Sequence, residues 1–318
     1  MWILFISIVH LKSQLLAQDQ QTESKALIQL TWHHGSFITD VPKSAYLKDS
    51  YSYSGELSIS RPVNGTAGKP IYAGIGLVAG HSGSHVFIGK MAAIYPFADF
   101  PLYHFGNILT GQFHAGLGMG WIEKPYDLES NHKNTLLGSH ANLFVSLEWK
   151  NAIRLTSRFS LLAGLSFHHL SNASLKLPNL GLNIPLFSAG LRYSLIKNIE
   201  EKAEHGPIRK NWFYRIGLSG GVKQTPWIGS PYYGVALLSA EAAYQKRPAI
   251  RWAAGISTIY DPSLAHQYLD SIVTIGKQDG SKWNAALYGS FEKVIGKFSI
   301  PVQFGVYAFP NDLGSFYQ

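Results

Sequence analysis

The sequence predicts an all-β protein, a transmembrane antiparallel up-and-down β-barrel of twelve to fourteen strands. Three observations point there. Apolar and polar residues alternate with period two along most of the chain, the mark of strands with two unlike faces. Charged residues are only 14% of the 318, where a soluble domain carries about 25%. Aromatics reach 13% and glycines number 31, yet the 46% of hydrophobic residues are spread through the chain. A barrel strand turns one face to lipid and the other to the lumen, so it needs no long apolar run.

The opening "MWILFISIVHLKSQLLAQDQQ" has an apolar core too short to span a bilayer as a helix, followed by Ala17 and a polar stretch. It is expected to be a secretory signal over residues 1–17, leaving a single barrel domain over 18–318. Thirteen strands can then be read, near 26–38, 50–61, 70–79, 84–95, 110–122, 138–149, 158–171, 183–196, 211–222, 232–245, 249–260, 282–293 and 297–309. Residues 112–121 are the clearest case. Phe113, Ala115, Leu117, Met119 and Trp121 share one face, and Gln112, His114, Gly116, Gly118 and Gly120 the other. In a membrane the first face meets lipid and the second fills the lumen.

If the chain starts in the periplasm, odd connections are extracellular and long, as 39–49, 123–137, 223–231 and 261–281 are. The even ones include tight turns near 246–248 and 295–297, whereas 96–109 and 196–210 are expected to be elaborate periplasmic turns. Bacterial single-chain barrels have even strand numbers. A thirteenth strand followed by "PNDLGSFYQ" therefore implies a fourteenth that is barely begun, with twelve as the next count.

Composition also excludes chemistry. The absence of cysteine removes thiolate metal sites, thiol nucleophiles and disulfides. The net charge of +8 comes without a basic run interleaved with aromatics, so nucleic acid is not an expected partner. His33 with His34, and His81 with His85, lack cysteine partners or a helix-borne H-E-x-x-H, and read as rim or lumen residues. No metal or organic cofactor is expected. His140, Asn142, Ser146 and Glu148 share an inner face and read as lumen filling.

One stretch breaks the alternation, "FHHLSNASLKLPNLGLNIP" over 167–185. His169 and Ser171 continue the apolar face of Phe159, Leu161, Ala163, Leu165 and Phe167, while His168 falls with Ser160, Gly164 and Ser166. On the next strand Asn183 heads the apolar face of Pro185, Phe187 and Ala189. His169, Ser171 and Asn183 are thus expected to face lipid, where polar groups are costly unless paired. Residues two apart on a strand lie about 6.6 Å apart, a gap an imidazole can close to a hydroxyl. Serine needs a base to become a nucleophile, and His is the usual one. Asn172 and Asn179 offer amide donors for an oxyanion. The same residues also suit an ordinary polar barrel rim.

"HHLSNASLKLPNLGLN" resembles the signature of the outer-membrane lipid A deacylases of the PagL type, also called acyloxyacyl hydrolases. Their H-x-S-N followed by K-x-P-N is matched by His169, Ser171, Asn172, Lys176, Pro178 and Asn179. "KPYD" (124–127) and "NTLLGSHANLF" (134–144) are similar to segments of larger members, and the resemblance covers about 70–196. It implies His169 as base, Ser171 as nucleophile, and Asn179 with Asn172 as oxyanion donors. The family's third catalytic position, a Glu, is Asn183 here. An amide can orient an imidazole but cannot stabilise its charge.

The resulting expectation is a bacterial outer-membrane serine esterase. It would remove ester-linked acyl chains from lipid A or a related glycolipid, with lipopolysaccharide and outer-membrane lipid as partners and its site facing the outer leaflet. The competing readings are a non-catalytic barrel, pore or scaffold, and an acyltransferase using the same site.

Overall fold

The computed structural model describes residues 26–38, 42–63, 71–195, 211–224, 229–247, 250–264, 282–295 and 298–307. The leader expected over 1–17, the turn at 196–210 and the start of a fourteenth strand lie outside the described residues.

Strands form where period two predicts them. The first eight are β1 (Leu27–Gly35), β2 (Ser52–Val63), β3 (Ile71–His81), β4 (Lys90–Phe105), β5 (Leu109–Ile122), β6 (Ala141–Arg154), β7 (Phe159–Ser171) and β8 (Leu182–Ser194). Each pairs antiparallel with its neighbour in sequence, and β1 pairs with β8, Trp32 opposite Ala189 and Leu30 opposite Leu191. That last pairing closes the sheet on itself. The all-β antiparallel barrel is as expected; of the thirteen strands described, eight close the ring, fewer than the twelve to fourteen expected of it. Alternation identifies strands but is silent on which distant pair seals the ring, and here the seal comes after β8.

The alternation is inside out relative to a soluble protein. Leu30, Trp32, Leu57, Ile59, Ile75, Leu77, Met119 and Phe187 are exposed, while Gln29, His33, Ser54, Glu56, Ser58, Gln112 and His114 are buried. In water this arrangement would expose an apolar belt and desolvate a polar core; in a bilayer both faces are satisfied. An eight-strand barrel is just wide enough for side chains to fill. Asp99 is met by Lys150 Nζ at 3.0 Å and His114 Nδ1 at 2.7 Å. Arg192 reaches Gln29 at 3.0 Å and Gln112 at 2.5 Å. Asn142, Ser146 and Glu148 point inward as expected, but His140 lies exposed just before β6, its Nδ1 on the Ile122 carbonyl.

At one end the lumen turns apolar. Phe37, Leu47, Ile88, Leu136, Leu137, Phe144, Leu170, Leu182 and Ile184 form one buried cluster, with Leu47 at the end of a short 3-10 helix (Pro42–Leu47). Loop residues thus cap that mouth of the barrel. At the other end β4 runs on to Phe105, and only Gly106 to Ile108 join it to β5. The elaborate turn expected at 96–109 is instead strand, with pairing from Phe97–Gly116 to Phe105–Leu109 across one register shift. Tyr103 fills the space above Gly111, where a side chain would collide with its ring at 2.2 Å.

The remaining strands form a separate compact unit. They are β9 (Asn211–Gln224), β10 (Tyr232–Arg247), β11 (Ile250–Tyr260), β12 (Trp283–Ile295) and β13 (Phe298–Tyr307). They make an antiparallel sheet in sequence order. Its two faces are as unlike as those of the barrel. Trp212, Tyr214, Ile216 and Leu218 are exposed on one, while Arg215 reaches Glu241 and Glu292, and Arg251 meets Glu292 at 2.9 Å, on the other.

Candidate active site

The end of β7 and the start of β8 carry the sequence-predicted residues. His169 and Asn183 are direct partners in the β7–β8 ladder. Each is half-buried and alternates with residues that are fully inside, His168 and Leu170 on β7, Leu182 and Ile184 on β8. Cross-strand partners hold their side chains within reach, and the His169 Nδ1 to Asn183 Oδ1 distance is 2.7 Å. With Nδ1–H donating to the amide oxygen, Nε2 keeps its lone pair, the tautomer a general base needs. Asn183 is held from its other side too, its carbonyl accepting the Ile38 amide at 2.8 Å beyond the end of β1.

Ser171 closes β7, two residues from His169 and opposite Leu143 on β6, half-buried. The chain then turns sharply. Ala173 and Ser174 take φ of 53° and 65°, and Leu175 donates its amide to the Asn172 carbonyl at 3.0 Å. Left-handed backbone at two non-glycine residues is strained and needs outside support. Asn172 supplies it. This buried residue donates from Nδ2 to the Lys176 carbonyl at 2.7 Å and to Ser139 Oγ at 2.9 Å. Its backbone N–H donates to Asn179 Oδ1 at 2.9 Å. That bond uses the amide oxygen of Asn179 and leaves its Nδ2 hydrogens to point elsewhere.

Gly181, with φ of 82°, ends the loop. A methyl group here would sit 2.9 Å from His169 Cε1, so the bare glycine leaves the imidazole its place.

A second loop, 123–140, braces the first, and sequence reading missed its part. Gly181 donates its amide to the Leu136 carbonyl at 3.0 Å, and a side chain at Gly138 would strike the Lys176 carbonyl. Two asparagines tie this loop to the connection between β3 and β4: Asn131 Nδ2 reaches the Phe87 carbonyl at 2.9 Å, and Asn134 Nδ2 the same carbonyl at 3.1 Å. Asp127 caps a turn within it, accepting from Ser130 N at 2.8 Å and Ser130 Oγ at 2.7 Å. These bonds, the Ser130 amide first, hold its carboxyl below the ordinary value. The sequence signals for this loop are "KPYD" and "NTLLGSHANLF", whose likeness to larger family members says nothing of what they touch.

A closed barrel with an apolar exterior and a polar, filled lumen defines an integral outer-membrane β-barrel. Residues 29–192 match the family described as lipid A 3-O-deacylase (PagL), and residues 212–318 match the acyloxyacyl hydrolase C-terminal domain. The chain belongs to the PagL lipid A 3-O-deacylase family, a family of ester hydrolases. The two matches divide the chain where the structure does, between β8 and β9. Among solved structures it is similar to Neisserial surface protein A (NspA), at 13% identity over 54% of this chain and 99% of that one, with a TM-score of 0.39. Comparison with the curated proteins finds no match.

Proposed function

We propose that this protein removes an ester-linked acyl chain from lipid A, or a closely related glycolipid, through an acyl-enzyme on Ser171, at a site facing the outer leaflet. The observation that carries the reading is the His169–Asn183 hydrogen bond on the outward face of the barrel. Pairing lowers the cost of two polar side chains on a lipid-facing wall and leaves the imidazole Nε2 to act as a base toward the lipid beside it.

The acyl tail of the substrate lies along the apolar wall, bringing its ester to Ser171. His169 Nε2 takes the Ser171 Oγ proton as Oγ bonds to the ester carbonyl carbon. Asn183 keeps the ring in the right tautomer and orientation through Nδ1. Charge gathers on the former carbonyl oxygen, toward which Asn179 Nδ2 donates, with Asn172 positioning Asn179 through its backbone amide. The carbon–oxygen bond to the sugar then breaks, and His169 returns its proton to the departing sugar hydroxyl. Water, activated by the same imidazole, splits the acyl-serine to a fatty acid and restores the hydroxyl. No step draws on a metal or organic cofactor.

Mass spectrometry of lipid A from membranes expressing wild type or Ser171→Ala tests this. Wild type should yield lipid A lighter by one acyl chain, and Ser171→Ala should leave every chain in place. Unchanged lipid A with wild type overturns the reading for that substrate. Transfer of the chain to a second lipid instead of release as free acid would identify an acyltransferase.

A further inference from the structure

The barrel lumen holds a second constellation, on the far side of the wall from the lipid. His33 on β1, Glu56 on β2 and His168 on β7 are all buried. Their ligand-capable atoms lie within 4.8 Å of one another. His33 Nε2 is 3.3 Å from Glu56 Oε2. Its other nitrogen, Nδ1, is 2.9 Å from Ser188 Oγ and 3.2 Å from Ser166 Oγ. The same Glu56 oxygen accepts the Tyr95 hydroxyl at 2.7 Å. His168 stands apart from this network. It is fully buried, and neither of its ring nitrogens has a hydrogen-bond partner among the described residues. Its ring is wedged between His33 and Phe144, each with its centroid 5.0 Å away, which limits where those nitrogens can turn.

A neutral imidazole carries one donor and one acceptor, and burying both without partners is expensive. We infer that His33, Glu56 and His168 bind a divalent transition-metal ion of the zinc class inside the barrel. Two imidazole nitrogens and one carboxylate oxygen are a zinc donor set, with a fourth position left for water. Calcium and magnesium prefer all-oxygen shells. The surroundings fit the same role. Metal-bound histidines hold their second nitrogen on a polar partner, which fixes the ring, and liganding carboxylates are themselves hydrogen-bonded. Ser188 with Ser166 does the first for His33, and Tyr95 the second for Glu56. Around a tetrahedral ion with bonds of about 2.0–2.1 Å, ligand atoms lie roughly 3.4 Å apart, so rotations of the order of 1 Å close the set.

The position gives such an ion a task. Around the barrel the strands run β7, β8, β1, β2, and the β8–β1 pairing is the closure of the ring. An ion held by β7, β1 and β2 staples the strands on both sides of that seam through the lumen. This site is independent of the lipid-facing chemistry proposed for Ser171.

The test uses the full chain in detergent micelles, stripped with chelator, dialysed against Zn²⁺ and then freed of excess metal. Wild type should retain about one equivalent by elemental analysis. With Co²⁺ it should show visible absorption bands of a low-coordinate nitrogen–oxygen site. His168→Phe, which keeps an aromatic ring in the lumen, and Glu56→Gln, nearly isosteric, should each weaken retention by at least about tenfold, a loss that even an outer hydrogen-bond partner can cause. His85→Ala controls for a second histidine pair, since the His81 and His85 rings lie 3.7 Å apart elsewhere. It should bind as wild type does. No retention by wild type, retention undiminished in Glu56→Gln, or retention lost with His85→Ala each overturns the proposal. Should His168→Phe fail to fold, Glu56→Gln and the cobalt spectrum decide it.

Discussion

His169 and Asn183 face each other across the β7–β8 ladder, Nδ1 to Oδ1 at 2.7 Å. The geometry is that of a base and its orienting partner, but the partner is an amide. An amide can hold the tautomer and cannot offset the positive charge that forms when the ring takes a proton. The Asn183→Asp variant keeps size and position while adding that charge. It should speed acyl release, by as much as about 10⁴-fold if the acid is worth what it is in the serine-protease template. The measurement is the rate of fatty-acid release from lipid A in mixed micelles, with Ser171→Ala as background. An Asp variant no faster than wild type would remove residue 183 from the proposed machinery.

Gly181→Ala should separate catalysis from folding. The glycine has φ of 82°, and a methyl group would press to 2.9 Å from His169 Cε1. The ring, at the end of its strand, is the more movable partner. A displacement of about 1 Å in a catalytic group costs roughly 10² in rate, whereas a strained φ costs about 1–3 kcal/mol. The expected outcome is a hundredfold loss of deacylation with the barrel still folded. Equal activity would mean that the ring does not need the place the glycine leaves it.

How much of this was legible in the sequence follows from the range of each interaction. Period two is local, so the strands and their faces could be read: His168 inside and His169 outside follow from counting along β7. Closure is not local. Nothing in the alternation of Leu30 or Trp32 says that β8, rather than a later strand, lies beside β1, so the size of the closed ring is not legible in the sequence. The same limit hid the extension of β4, because "FADFPLYHF" mixes proline and charge into what is still paired strand. The loop contacts were hidden for a further reason. Ser139 meets Asn172 across 33 residues, through side-chain and loop geometry that has no period at all. The lumen triad of His33, Glu56 and His168 lay on inner faces that could each be read, but which inner residues meet depends on the stagger of the closed ring.

The ion pairs of the lumen lead to a stability prediction. Lys150 Nζ lies 3.0 Å from Asp99 Oδ1 and 3.8 Å from Glu148 Oε2, all buried. Removing the cation alone leaves Asp99 with His114 but without its lysine, and Glu148 without that cation, both buried, at a cost of about 3–5 kcal/mol. Replacing both partners by neutral groups of similar volume is often nearly neutral. Lys150→Met should therefore lower the guanidinium midpoint of the protein in micelles substantially, and adding Asp99→Asn to it should recover part of the loss, Glu148 still lacking its cation. A double variant as unstable as the single one would show that packing, not charge, is what Lys150 contributes.

The loops over the capped mouth should loosen in acid while the barrel stays closed. Asp49 accepts the His85 and Val86 amides at 2.8 and 2.9 Å. Burial raises its carboxyl, but those amide donors outweigh it and leave it below the ordinary value. Glu123 is lowered first by the Lys90 amide, 2.9 Å away, and Asp127 first by that of Ser130. A carboxyl lowered in the folded state stabilises it fully above the unfolded value, about pH 4, and that stability is lost as pH falls through the folded one. Hydrogen exchange should therefore show protection of the His85, Val86, Lys90 and Ser130 amides unchanged from neutral pH down to about 4. It should decline only below that. Asp49→Asn presents at most one acceptor to two donors and should expose the His85 or Val86 amide already at neutral pH, leaving Ser130 protected. Loss of protection at all four amides together, at a pH well above the carboxylate range, would trace the loosening to histidine protonation instead.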